Sequence, residues 1–119
     1  MNANVQAALE PAFVLREDRD GVARLTLNRG DRLNPLSMKM IEAMLVELDR
    51  LATDRSVKVV VLAGGGKHFC AGHALREMRA NPNKEWQQAL FERCSAMMLK
   101  LTQLPQPVIA RVQGVAVAA

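Results

Sequence analysis

The run GVARLTLN alternates, with Val22, Arg24, Thr26 and Asn28 on one side and Ala23, Leu25 and Leu27 on the other. A period of two belongs to a half-buried strand. The preceding FVLRE has a similar character, and the turn Asp18-Arg19-Asp20-Gly21 between them predicts an antiparallel hairpin with one face inward. NRGDRLNPLS is then a loop, because Gly30, Asn34 and Pro35 break any period, and Ser37 stands where a helix cap belongs. From Met38 to about Ala52 the residues Ile41, Met44, Leu45, Leu48 and Leu51 recur at intervals of three and four. That spacing predicts an amphipathic helix.

Lys58 to Ala63 is nearly continuous valine and leucine. It predicts a strand buried on both faces, as in parallel sheets between helices. Glu85 to Leu104 sets Trp86, Leu90, Cys94, Met97, Leu101 and Leu104 on one stripe, and Pro105 and Pro107 end it. A last strand is expected over Val108 to Val112, followed by Gln113-Gly114 and a small apolar run to Ala119. The order helix, buried strand, glycine loop, helix is a crossover, so the fold class is α/β with a single core. We expect a flexible tail over residues 1–12 and, over 13–119, the N-terminal portion of one domain, truncated in its C-terminal direction.

Composition narrows the function. Half of the 119 residues are hydrophobic and 24% are charged, as in a folded globular chain. The net charge of +4 forms no stripe, since basic residues sit beside acidic ones in REDRD, NRGDR and ELDR. Three Phe, one Trp and no Tyr leave no stacking platform, so nucleic acid is not an expected partner. No segment has the length and apolarity to span a bilayer. Two cysteines suggest no disulfide framework, and MNANVQAALEP lacks the basic head and apolar core of a signal peptide. The expected compartment is the cytoplasm.

The candidate chemistry lies in AGGGKHFCAGHALREM. A phosphate-binding loop is excluded by spacing, because Val61 and His68 stand where a first glycine and a Ser or Thr are needed. His68, Cys70, His73 and the distant Cys94 could ligate a metal, but the second ligand pair of a zinc site is missing, so no metal is expected. Cys70 reads as a small buried residue with no base to activate it. Two readings of Ala71-Gly72-His73 stay open. Its N–H groups could face an anion at the start of a helix, or this could be a strand-to-helix loop whose glycines are there only for its φ angles.

Three motifs in order, GVARLTLNRGDRLNPLS, VKVVVLAGGGKHFCAGHALREM and PQPVIARVQGVAVAA, closely resemble the enoyl-CoA hydratase/isomerase (crotonase) family. The resemblance runs from about Phe13 to the last residue. It implies a crotonase-like (ClpP/crotonase) fold of repeated ββα units, here incomplete at its C-terminus, whose turns surround an acyl-CoA thioester. It further implies that two backbone N–H groups, of His73 and Ala119, hold the thioester oxygen as an enolate forms. The CoA moiety is expected along Arg32, Leu33, Pro35 and Leu36 and against Ala71, Ala74 and Leu75. Coenzyme A is part of the substrate, so no separate cofactor is implied.

The chain departs from the family pattern at three positions. Ala74 replaces a frequent Asp that would cap the next helix, Pro35 replaces an alanine, and His73 is larger than the usual alanine, although its N–H is what the role needs. The family's acid and base carboxylates come from later segments, and Glu77, Glu85 and Glu92 read as solvated helix positions. For the intact parent the resemblance implies hydration of a 2-enoyl-CoA by a homo-oligomer, a trimer or hexamer. The alternative is a truncated, non-catalytic CoA-binding or assembly module.

Overall fold

The computed structural model describes residues 10–117. Strands β1 (Val14–Arg19) and β2 (Val22–Leu27) form the expected hairpin, paired from Val14 opposite Leu27 to Arg19 opposite Val22. The turn is tighter than the sequence suggests. Asp20 and Gly21 alone make it, both with positive φ (52° and 81°), the mirror-image geometry that matches strand twist. Ala23, Leu25 and Leu27 point into the core, and Leu25 is 0% exposed.

After a single 3-10 turn (Gly30–Arg32), helix α1 (Met38–Ala52) follows, with Ser37 Oγ accepting from the Met40 N–H at 3.1 Å. Its whole predicted stripe is buried, with Met40 added. Strand β3 (Val59–Gly64) lies parallel to β2, and β4 (Val108–Arg111) parallel to β3, giving the order β1-β2-β3-β4. Two expectations change here. Val60 and Ala63 are buried, but Val59, Val61 and Leu62 are only half-buried, so β3 is not sealed on both faces. All four residues of β4 are exposed, because no element among the described residues covers them.

Helix α2 (Leu75–Ala80) is short, and α3 (Lys84–Gln103) is long. Asn83 caps α3, its Oδ1 accepting from the Trp86 N–H at 2.7 Å, while Leu90, Cys94 and Met97 face inward. Trp86, Leu101 and Leu104 are half-buried at the margin of the core. Helices α1 and α3 lie side by side, joined by Arg93 to both Glu42 oxygens (2.6 and 2.8 Å) and by Lys100 to Asp49. Pro11 and Ala12, in the expected tail, accept hydrogen bonds from Arg29, whose guanidinium lies 3.7 Å from the Phe13 ring centre. Residues 1–9 lie outside the described residues.

Candidate functional site

In a parallel set of strands the carboxyl ends all face one edge, and the loops that leave them meet there. β2, β3 and β4 end in register at this edge, with Leu27 beside Gly64 and Ala63 beside Arg111. Three loops leave it: 28–37, 65–74 and 112–117. They carry the residues that the sequence singles out, except Leu75, which opens α2, and Ala119.

Asn34 ties the first loop to the second. It is 0% exposed and polar, so its groups must find partners inside the protein. Its Oδ1 accepts from the Arg29 N–H at 2.7 Å, and its Nδ2 faces the carbonyls of Gly65, His68 and Phe69 at 3.0 to 3.1 Å. Alongside, the Ala71 N–H donates to Leu33 O (2.9 Å) and the Leu36 N–H to Gly72 O (2.7 Å). These bonds make a short parallel bridge between Leu36 and His73. Leu33 and Asn34 hold left-handed φ angles of 66° and 49°. For a leucine that conformation costs about 1 kcal/mol, and the interlocked carbonyls hold it in place.

The third loop pairs with the second. Cys70 and Ala116 form a parallel bridge, with the Cys70 N–H on Val115 O (3.1 Å) and the Val117 N–H on Cys70 O (3.0 Å). Gln113 Nε2 reaches Gly64 O (2.7 Å) and Gly66 O (3.2 Å). His68 Nδ1 accepts from the Val115 N–H at 2.9 Å.

At the centre of this arrangement, Gly72 turns the chain with φ +80°, a conformation costly for any residue with a Cβ. The next amide, that of His73, donates to no other group among the described residues. An amide held rigid by its neighbours and left without an acceptor can receive an oxygen of a ligand. The following helix adds little field, since α2 has only six residues and Ala74 gives it no side-chain cap. The His73 ring stands edge-on to Phe91, 5.3 Å between centroids and 87° between planes, with Nδ1 buried and without a partner among the described residues. Its contact is therefore with α3.

Leu33, Leu36, Ala71 and His73 are thus brought together through main-chain bonds. Leu36 turns its side chain into the core, and Pro35 is half-buried with its carbonyl accepting from the Ser37 N–H. Arg32 and Leu75 are exposed, Leu75 at 70%. Ala119 lies outside the described residues. Cys70 is buried, and burial pushes its thiol pKa up while the Gly72 N–H, 3.4 Å from Sγ, pulls the other way. A thiol kept protonated is not a nucleophile.

Glu77 corrects an expectation. It is half-buried, not solvated, and its Oε1 accepts from the Met38 N–H at 2.9 Å, capping α1 from another helix. Glu85 and Glu92 are exposed, as read. Beneath the Cys70–Ala116 bridge lies an apolar cavity of about 340 Å³, lined by Leu27, Met44, Leu62, Met97 and Val117 among others. Asn34, His68, Gln113 and Glu77 were not singled out by sequence reasoning as organisers of the site. A polar residue between a leucine and a proline, as in LNP, was the one available signal, and it reads first as a loop breaker.

Residues 17–119 match the family model described as enoyl-CoA hydratase/isomerase. The chain is 32% identical over 119 residues to enoyl-CoA hydratase domain-containing protein 3, mitochondrial, of Xenopus laevis, covering 100% of this chain and 40% of that protein. It is 32% identical to the 1,2-epoxyphenylacetyl-CoA isomerase of Escherichia coli, covering 90% of this chain and 42% of the relative. Among solved structures, an enoyl-CoA hydratase of Mycobacterium smegmatis superposes with a TM-score of 0.82 at 51% identity, covering 87% of this chain and 40% of its own. One from Bacillus anthracis gives 0.83 at 32%, covering 87% and 41%. The chain spans about 40% of the length of these relatives.

Proposed function

The chain belongs to the enoyl-CoA hydratase/isomerase family, and from that membership we propose that it binds an acyl-CoA thioester at the carboxyl edge of β2–β4 and polarises its carbonyl with main-chain amides. The observation that carries this reading is the His73 N–H, fixed between two bridged loops and without an acceptor among the described residues. Ala119 N–H is the proposed second donor. His73 and Ala119 each lie three residues beyond the bridged pair Cys70 and Ala116. Arg32, with Leu33 and Pro35 beside it, is proposed to meet the CoA phosphates, because guanidinium matches phosphate geometry and this side chain is exposed.

In the whole protein we propose hydration of a 2-enoyl-CoA. Addition of water across the double bond places negative charge on the thioester oxygen, and donors fixed beforehand lower that barrier without reorganising. The acid–base groups are not assigned to this chain: Glu77 is engaged with Met38, and Glu85 and Glu92 stand exposed on α3. That placement favours a second reading for the chain by itself, a CoA-thioester-binding module without turnover.

The test is the infrared carbonyl stretch of bound crotonyl-CoA, together with its hydration. Binding should lower the stretch, and His73→Pro, which deletes the N–H, should return it to the free value and cut any hydration by about a hundredfold or more. His73→Ala, which keeps the amide, should fall far less. Equal loss in both variants overturns the backbone role. Hydration by the chain alone would exclude the second reading, and a shifted stretch without hydration would support it.

A further inference from the structure

Resting on that reading, we infer that His68 is a positioning residue: its imidazole is the strut that keeps the 112–117 loop, and with it the proposed second donor, in register with the His73 turn. His68 is fixed at both ends. Its main-chain carbonyl accepts from Asn34 Nδ2 at 3.1 Å, and its Nδ1 accepts from the Val115 N–H at 2.9 Å. Both anchors belong to one residue of the second loop, so the third loop cannot drift from the first without breaking one of them.

The third loop is shaped to rest on this ring. Gly114 has φ +57°, and a Cβ there would lie against Lys67 O and 2.5 Å from His68 Nδ1. A glycine is therefore required for the Val115 amide to reach the imidazole. Immediately after it, Val115 O accepts from the Phe69 and Cys70 N–H groups, both at 3.1 Å, and the Cys70–Ala116 bridge begins. The His68 bond is thus a side-chain rung between the Phe69 N–H to Gln113 O bond (2.8 Å) and the Cys70–Ala116 bridge.

A backbone N–H can only donate, so Nδ1 must be bare and the ring's proton must sit on Nε2. Protonation at Nδ1 removes the acceptor and sets two donors face to face. The residues meeting His68 from the other loops, Asn34, Gly114 and Val115, carry no charge; the charged side chains of the three loops are Arg29, Asp31, Arg32 and Lys67, with Arg111 at the end of β4. Among the described residues the ring bonds only to the Val115 N–H.

Two measurements on the full chain test this: hydrogen exchange of the Val115 amide, and the affinity for crotonyl-CoA relative to CoA alone. His68→Ala should expose the Val115 amide and lower the crotonyl-CoA preference by roughly fivefold, the worth of one ordinary hydrogen bond. His68→Asn, whose Oδ1 takes the place of Nδ1, should restore both, whereas His68→Gln, one methylene longer, should not. His68→Asn keeps an acceptor at the same place, so its comparison with His68→Gln decides even where His68→Ala fails to fold. An unchanged Val115 amide in His68→Ala, or a His68→Asn that protects the Val115 amide no better than His68→Gln, overturns the strut. An exposed Val115 amide with no preference for crotonyl-CoA in the wild type upholds the strut and overturns the thioester reading.

Discussion

The two sides of the sheet are written in similarly apolar sequence and packed in opposite ways. In β2 every second residue is sealed, whereas in β4 all four are exposed, Ile109 at 56%. The difference lies in what covers them. α1 and α3 close over β2 and β3 with Met44, Leu48, Leu90 and Met97, and nothing among the described residues lies over β4. Hydrophobic sequence therefore states a capacity to be buried, and an apposed element turns it into stability. The three loops of the candidate site sit along the boundary between the sealed side and the bare one.

Core truncation gives the widest test of this contrast. Leu48, 1% exposed, should cost about 3 kcal/mol or more when cut to alanine, because its cavity cannot collapse. Ile109→Ala should cost well under about 1 kcal/mol, having little buried surface to lose. Urea denaturation of both variants reads the gap, and equal losses would show that β4 is covered in solution. Next in size is Asn34→Ala, which leaves an amide and three carbonyls short of a partner in a dry site. A loss of about 2 kcal/mol is expected, with the Ala71 and Leu36 amides exposed to hydrogen exchange.

The smallest effect is electrostatic and confined to the β1–α1 side. Arg16 bonds Asp18 (2.8 Å) and Asp54 (2.9 Å). The Arg16 guanidinium holds the Asp18 carboxyl below its ordinary range, and Ser56 with Arg16 does the same for Asp54. A folded-state pKa below the unfolded one contributes stability above the unfolded value, near 4, and loses it as pH falls through the lower folded value. The thermal midpoint should thus fall slightly on acidification below about pH 4, and Asp54→Asn should flatten that slope. Solvent screening keeps the effect small, since Asp18 is exposed and Asp54 partly so.

The pattern of legibility follows the range of the forces involved. α1 was readable from Met38 to Ala52 because five of its six core residues repeat at helical spacing within fifteen positions and Ser37 caps locally. The bend after β3 was readable too, from glycines next to a valine run. What Asn34, His68, Gln113 and Glu77 do was not, since each acts on a main-chain group of another segment: Asn34 on carbonyls 31 to 35 residues away, His68 on an amide 47 away. Local pattern cannot display such partners. For the same reason the apolar VVVLA run overstated burial of β3, because its second face depends on cover from elsewhere.

Asn34 also bears on the order of assembly. Its partners are neighbours only after β2 and β3 have aligned, so the loop cluster needs the formed sheet and the layer packed on it, while neither of these needs the loops. On heating, the loop cluster should therefore open before the α1–α3 layer melts, giving the molecule a local softening well ahead of global unfolding.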